Sequence, residues 1–251
     1  MTPILPDLRE AEQMVPFSVL TETSAHLVLT LAFLKLVSIQ WHKYLQQMPA
    51  GMSRDAWLAS MAASGRIVMD DDCTFAALCR GIPEQAGITV NNALLHLTRL
   101  QPHGALDGVF RSQNFAFLGE YYKLIANPAK LATMLASVDR AQWGGASFSL
   151  ACGDAFAHAI CRMHPDRQQT NRDVVKLMAR LLDPQPTESV FDPACGYGLS
   201  LLACAKVLAE RHPTATLHLH GMEPEWHRWS LAKMLMLLAD WCGRMVLFPN
   251  Q

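Results

Sequence analysis

The stretch Val190-Phe-Asp-Pro-Ala-Cys-Gly-Tyr-Gly-Leu199 constrains this chain more than any other. A short apolar run enters an acidic, glycine-bearing turn, and the segment from Leu199 to Glu210 behind it has helical character. Strand, glycine turn and helix in that order bring free backbone N–H groups and the positive end of a helix dipole to one place. Glycine at 196 and 198 lets the backbone approach a ligand closely and take φ values that other residues avoid. This is the local chemistry of a nucleotide-type site. The spacing Asp-x-x-x-Gly-x-Gly departs from the dinucleotide fingerprint Gly-x-Gly-x-x-Gly. Asp192, at the head of the loop, is placed to accept from a cationic or amine-bearing ligand.

The flanking segments complete a unit. A helix from Arg172 to Leu182 ends at Pro184-Gln-Pro186, a strand covers 189–192, and a second strand, Thr216 to Gly221, precedes Met222-Glu223. Strand, turn, helix and strand make one βαβ unit, whose parallel strands and right-handed crossover open a doubly wound sheet. An acidic residue at the end of the second strand can accept both hydroxyls of a ribose. Glu223 stands there, and Glu225 competes with it because Pro224 could turn either one outward.

The part ahead of this unit reads as helical. Leu27, Leu31, Leu34 and Ser38 share one stripe, widened by Leu29, Phe33, Leu36 and Val37, so a helix over about 22–47 is apolar around much of its circumference and belongs inside a bundle. Pro49-Ala-Gly51 ends it, and Ser53 caps a helix carrying Trp57 and Met61. Asp70-Asp71-Asp72 reads as a solvated turn before a helix from Thr74 to Cys79, and Val90 to Leu100 as a further helix before a turn at Pro102-His-Gly104. Gly144-Gly145 punctuates the chain and is the expected hinge between domains. A helix from Ser149 to Met163 follows it, then a polar break at His164 to Asn171.

Asp192-Pro193-Ala194-Cys195-Gly196-Tyr197-Gly198 resembles the S-adenosylmethionine motif of N6-adenine DNA methyltransferases, in particular the modification subunits of type I restriction-modification systems, with Gly-Tyr-Gly in place of the usual Gly-Ser-Gly or Gly-Thr-Gly. Gly221-Met222-Glu223 is similar to the family's Gly-x-Glu, whose carboxylate takes the ribose. Gln168-Gln169-Thr170-Asn171-Arg172 occupies the place of a Gly-Gln-Phe/Tyr-Thr-Pro segment that lies over the methionine end of the cofactor, and it retains Thr170. Thr170 with Asp173 also reads as an ordinary helix cap, so two readings of that residue stand side by side. Leu34-Lys35-Leu36-Val37-Ser38, Leu106-Asp-Gly-Val-Phe110, Leu118-Gly119 and the run Pro128 to Val138 look like the family's helical N-terminal domain, so the resemblance extends from about Leu27 to Trp241.

The resemblance implies a helical domain over 1–145 and, over 146–251, the first part of a Rossmann-like methyltransferase fold, α followed by partial α/β. It implies S-adenosylmethionine as cofactor, held by Asp192, Pro193, Ala194, Cys195, Gly196, Gly198, Glu223 and Thr170. The family's catalytic Asn-Pro-Pro-Phe or Asn-Pro-Pro-Tyr tetrapeptide lies further along its chains, and neither Asn-Pro-Pro nor Asp-Pro-Pro occurs in these 251 residues. The expectation is therefore a chain shortened before the catalytic motif, with no catalytic residue of its own, which meets DNA through a specificity subunit and assembles as a hetero- or homo-oligomer. The alternative is a non-catalytic interaction or regulatory protein that docks on restriction-modification subunits or DNA.

Composition sets limits on both. A hydrophobic share of 51% supports a sizeable core, and a formal net charge of −1 argues against a basic stripe for unspecific DNA binding. Seven cysteines without a Cys-x-x-Cys pair fit a reducing compartment, and Cys195 reads as a small packed residue rather than a nucleophile. Asp7, Glu10 and Glu12 speak against a signal peptide, and the apolar run Leu27 to Ile39 is short of the ~20 residues of a membrane span, so a cytoplasmic protein is expected. His218, His220 and His227 lack the carboxylate or cysteine spacing of a metal site. Trp226 and Trp229, with Leu231, Met234, Leu235 and Leu238, read as a helix packing on the sheet.

Overall fold

A computed structural model of the chain describes residues 22–64, 66–81, 85–101, 106–110, 126–140, 149–163, 170–215, 217–239 and 246–248. The chain divides into two compact units, Met1–Ser147 and Phe148–Gln251. The expected hinge at Gly144-Gly145, the turn at Pro102-His-Gly104 and the pair Leu118-Gly119 lie outside the described residues.

The first unit is built around α1 (Glu22–Gln46). Its side chains are apolar on nearly every face, and Leu27, Leu29, Leu31, Phe33, Leu34 and Trp41 are all fully buried. By length and composition Ala25–Gln46 could cross a membrane, a longer segment than Leu27 to Ile39, yet 83% of its apolar window is buried inside the protein. It is the central rod of a helical unit. Ser38 sits at its pivot: the hydroxyl donates to the Leu34 carbonyl at 2.8 Å and accepts from the Phe75 N–H at 2.8 Å. That bond ties α1 to the start of α3 (Phe75–Arg80).

Local signals set the remaining elements of this unit. The Ser53 hydroxyl accepts from the Ala56 N–H at the head of α2 (Arg54–Ala63). The aspartate run forms a 3-10 turn over Asp71–Cys73, and Thr74 rather than an aspartate caps α3. Asp71 pairs with Arg54 at 2.6 Å, and that hydrogen-bonded guanidinium holds its carboxyl below the usual range. α4 (Ala86–Leu100) starts one turn earlier than Val90, and α5 (Pro128–Arg140) buries Leu131, Leu135 and Val138. The side chain of buried Gln101 is satisfied as a strand neighbour would be, accepting from the Val68 N–H and donating to the Val68 and Leu97 carbonyls.

In the second unit α6 (Leu150–Met163) and α7 (Arg172–Leu182) precede β1 (Ser189–Asp192). Then come α8 (Leu199–Arg211), β2 (His218–Met222), α9 (Trp226–Leu238) and β3 (Val246–Phe248). The sheet order is β1-β2-β3 and both pairings are parallel, with Val190 opposite Leu219 and His220 opposite Val246. The third strand was missed from the sequence, where Val246-Leu-Phe248 is too short and too close to Pro249 to stand out by alternation. α8 lies on β1 and β2, and α7 packs on α8. Asp154 of α6 accepts from Arg172 of α7 at 2.8 Å and from Lys206 of α8 at 2.9 Å, so one carboxylate gathers three helices.

α9 is buried along most of its length: Trp229 is 3% exposed, and Leu231, Met234, Leu235 and Leu238 are fully buried. It meets α6 so closely that a Cβ on Gly153 would come 2.7 Å from the Ala239 Cβ, 3.0 Å from its Cα and 3.3 Å from its backbone nitrogen. Alanine is favoured over glycine in a helix by ~1 kcal/mol. Here the obstacle is backbone and cannot rotate away, and overpacking of this kind costs about 1–3 kcal/mol. Gly153→Ala should therefore lower stability by about 1 kcal/mol net in urea unfolding. A midpoint equal to or above the parent's would contradict this packing of α6 on α9.

Candidate functional site

The loop after β1 is held in one shape by its own hydrogen bonds. One oxygen of Asp192 accepts from the Ala194 N–H at 3.0 Å, and the other accepts from the Ser200 hydroxyl in the first turn of α8. The Cys195 N–H donates to the Met222 carbonyl at 2.9 Å, which fastens the loop to the end of β2. The Gly198 N–H donates to the Cys195 carbonyl at 2.8 Å and closes the turn. Gly196 and Gly198 take φ of +54° and +79°, the left-handed region that glycine enters at least cost.

The two glycines have different surroundings. A Cβ on Gly196 would meet nothing nearer than the Glu223 carboxylate, 4.0 Å away, so the backbone here faces open space bounded by an acid. A Cβ on Gly198 would lie 3.3 Å from both the Ala232 Cβ and the Met236 Cε. Gly198 thus seats the start of α8 against α9 and does not line the cleft.

That cleft has a volume of about 590 Å³, within the range of small-molecule sites. It brings together Thr170, Asp192, Ala194, Cys195, Gly196 and Glu223; Pro193 and Gly198 are not among its lining residues. Glu223 is 5% exposed at the end of β2, and its Oε1 accepts from the Glu225 N–H at 2.8 Å. Glu225 also lines the cleft but is exposed, so the buried carboxylate of the pair is Glu223.

Upstream, the cap of α7 is Asn171, whose Oδ1 accepts from the Asp173 N–H at 2.8 Å. The cap expected of Thr170 is therefore supplied by its neighbour, and Thr170 stands exposed on the cleft wall. Cys195 is buried, and burial, reinforced by the Asp192 and Glu223 carboxylates, pushes its thiol up to about 12. It is a neutral, packed side chain at physiological pH and no nucleophile.

The sequence reading did not assign to the site several residues that line the cleft, among them Val175 and Met178 of α7, Leu199 and Ser200 of α8, and Tyr197 and Arg228. Ser200 carried a usable signal, since a hydroxyl in the first turn after the loop can reach back to Asp192. Arg228 carried none: its guanidinium carbon lies 5.9 Å from the centre of the Tyr197 ring only because α9 follows β2 at this angle. Among the described residues no group of three or more His, Cys, Asp or Glu side chains is arranged to hold a metal ion.

Residues 167–245 match the family model described as N-6 DNA Methylase. No curated protein matches the sequence. Among solved structures, the methyltransferase subunit of a type I restriction-modification system from Streptococcus thermophilus is similar with a TM-score of 0.68 and 16% identity, over 92% of this chain and 54% of that one. A protein assigned as a modification subunit of a type I restriction enzyme from Vibrio vulnificus has a TM-score of 0.48 and 17% identity, over 90% of this chain and 50% of that one. The chain thus spans about half the length of these structures. Its sheet, glycine loop and helices make a partial methyltransferase fold, and the stretch that matches the family model, residues 167–245, contains the glycine loop and Glu223.

Proposed function

We propose that the cleft between the Asp192–Gly198 loop and Glu223 holds S-adenosylmethionine, and that the chain is the cofactor-binding part of a DNA adenine N6-methyltransferase of the type I modification-subunit kind. The observation that carries this reading is the buried Glu223 carboxylate beside the open side of Gly196, 4.0 Å from where a Cβ on that glycine would stand. A carboxylate taken out of water is costly unless something satisfies it. Oε1 already accepts the Glu225 N–H, and ribose hydroxyls in the cleft would donate to the rest of the group. The free backbone at Gly196 leaves room for a ligand to lie against the loop. Asp192 shapes that loop through Ala194 and Ser200 and need not touch the ligand to matter. Thr170 borders the same space.

The bound cofactor would supply an activated methyl group. The acceptor and stacking ring that position a flipped adenine belong, in the family, to the Asn-Pro-Pro-Phe motif, and these 251 residues contain no Asn-Pro-Pro. Methyl transfer then requires residues from outside them. On this reading the chain works in the cytoplasm, with DNA reached through a specificity subunit. A docking role on restriction-modification subunits is the second reading, and the exposed apolar face of α7 favours it as an addition to cofactor binding.

Two measurements follow. Calorimetric titration with S-adenosylmethionine should give a binding heat that weakens about 5- to 150-fold in Glu223→Gln, the equivalent of a lost hydrogen bond to a buried charge at roughly 1–3 kcal/mol. Gln keeps an acceptor for the Glu225 N–H, so the thermal melt should not move. Equal binding by both proteins would refute the assignment of Glu223. In the second, the chain alone, incubated with duplex DNA and methyl-labelled cofactor, should place no label on adenine N6. Positioning of the reacting groups can supply roughly 7–11 kcal/mol of barrier reduction, which this chain lacks. Label on adenine N6 without an added subunit would overturn that part of the reading.

A further inference from the structure

α7 carries a row of like charge. Arg172, Lys176 and Arg180 stand at i, i+4 and i+8, so their side chains rise from one flank of the helix. A rise of 1.5 Å per residue spreads the row over about 12 Å. Cations at that spacing repel each other, whereas the pairs that stabilise a solvated helix face alternate in sign. Lys206 of α8 faces the same row. With Asp154 and Glu210 these four cations border a recess of about 240 Å³ between α6, α7 and α8, floored by buried Val175, Leu202 and Val207. The walls are whole helices of the second unit, and no strand edge takes part in them.

The acids at hand do not neutralise the row. One oxygen of Asp154 serves both Arg172, at 2.8 Å, and Lys206, at 2.9 Å. Lys176 stands 3.9 Å from Asp173 and Arg180 4.0 Å from Glu210, both longer than a hydrogen bond. The side chains of Lys176 and Arg180 are 60% and 69% exposed, so the row is an open ridge and not the lining of a closed pocket. Four cations against two acids leave a local positive excess, which the net charge of −1 over the whole chain conceals.

We propose that this ridge binds the phosphate backbone of a DNA strand, giving the chain a contact of its own with DNA. Cations in line match a polyanion whose charges repeat along a strand, and they hold it without reading its bases. A small anion is the poorer fit, because the recess is below the usual size of a small-molecule site and the ridge runs along its open rim. The ridge also begins beside the cofactor cleft: Val175 and Leu199 line both, and Thr170 on the cleft wall is two residues ahead of Arg172. The choice of DNA rests on the methyltransferase reading, while the ridge itself asks only for a row of phosphates.

Fluorescence anisotropy with a labelled duplex of about 20 base pairs, between about 50 and 200 mM salt and without cofactor, tests the ridge. The parent should bind with an affinity that falls as salt rises. Replacing two ridge cations together, Lys176→Gln with Arg180→Gln, should flatten the slope of log K against log salt by about 2, near one for each lost phosphate contact. Both side chains are exposed, so the thermal melt should not move. The pair Arg99→Gln with Lys130→Gln removes the same charge from the other unit and should leave the slope as it was. The ridge variant should also keep the parent's binding heat for S-adenosylmethionine, and because the DNA assay holds no cofactor, failure of the cofactor site leaves its result readable. No binding at the lowest salt, an unchanged slope in the ridge variant, or an equal loss in the control pair would overturn the proposal. So would tripolyphosphate binding that the ridge variant loses while its DNA slope stays.

Discussion

The hydrogen bond from the Cys195 N–H to the Met222 carbonyl, 2.9 Å long, joins the two strand ends on which everything else in the second unit depends. It fixes the glycine loop after β1 to the last residue of β2 and so places Glu223, the next residue, opposite Gly196. The Asp192 carboxylate completes the frame by holding Ala194 within the loop and Ser200 at the head of α8. Loop, helix start and carboxylate therefore move as one piece. A buried acid close to the positive end of a helix and to the open backbone at Gly196 is an environment for a polar ligand, not for packing.

The pieces of this site were legible in the sequence to different degrees, for physical reasons. The βαβ unit declared itself because period-2 and period-3.6 patterns alternate there with glycines and prolines between them, and β1 and α8 begin at 189 and 199 as those patterns indicate. Glu223 could be picked over Glu225 only by analogy, since burial is a tertiary property and both flank Pro224. Gly196 and Gly198 look equivalent in sequence, yet one faces the cleft and the other packs on Ala232 and Met236. That difference arises from α9, whose path no local pattern announces. The sequence left Thr170 open between a helix cap and a site residue; Thr170 and Asn171 are both good caps, and only the backbone turn decides which oxygen reaches the Asp173 N–H.

α7 shows the opposite case, where the pattern is clear and its usual meaning fails. Its stripe should mark a buried face, yet the residues that meet α8 are the smaller Val175 and Ala179. Asp154 helps to set that orientation by anchoring Arg172 at the head of α7 and Lys206 of α8. The same rotation brings Met178 to the cleft.

The most direct measurement is a crystal structure of the chain with S-adenosylhomocysteine. The account predicts the ribose hydroxyls on the Glu223 carboxylate and the ligand against the Gly196 backbone, with Gly198 still packed on α9. Ligand bound elsewhere, or a Glu223 carboxylate left facing solvent beside it, would contradict the account.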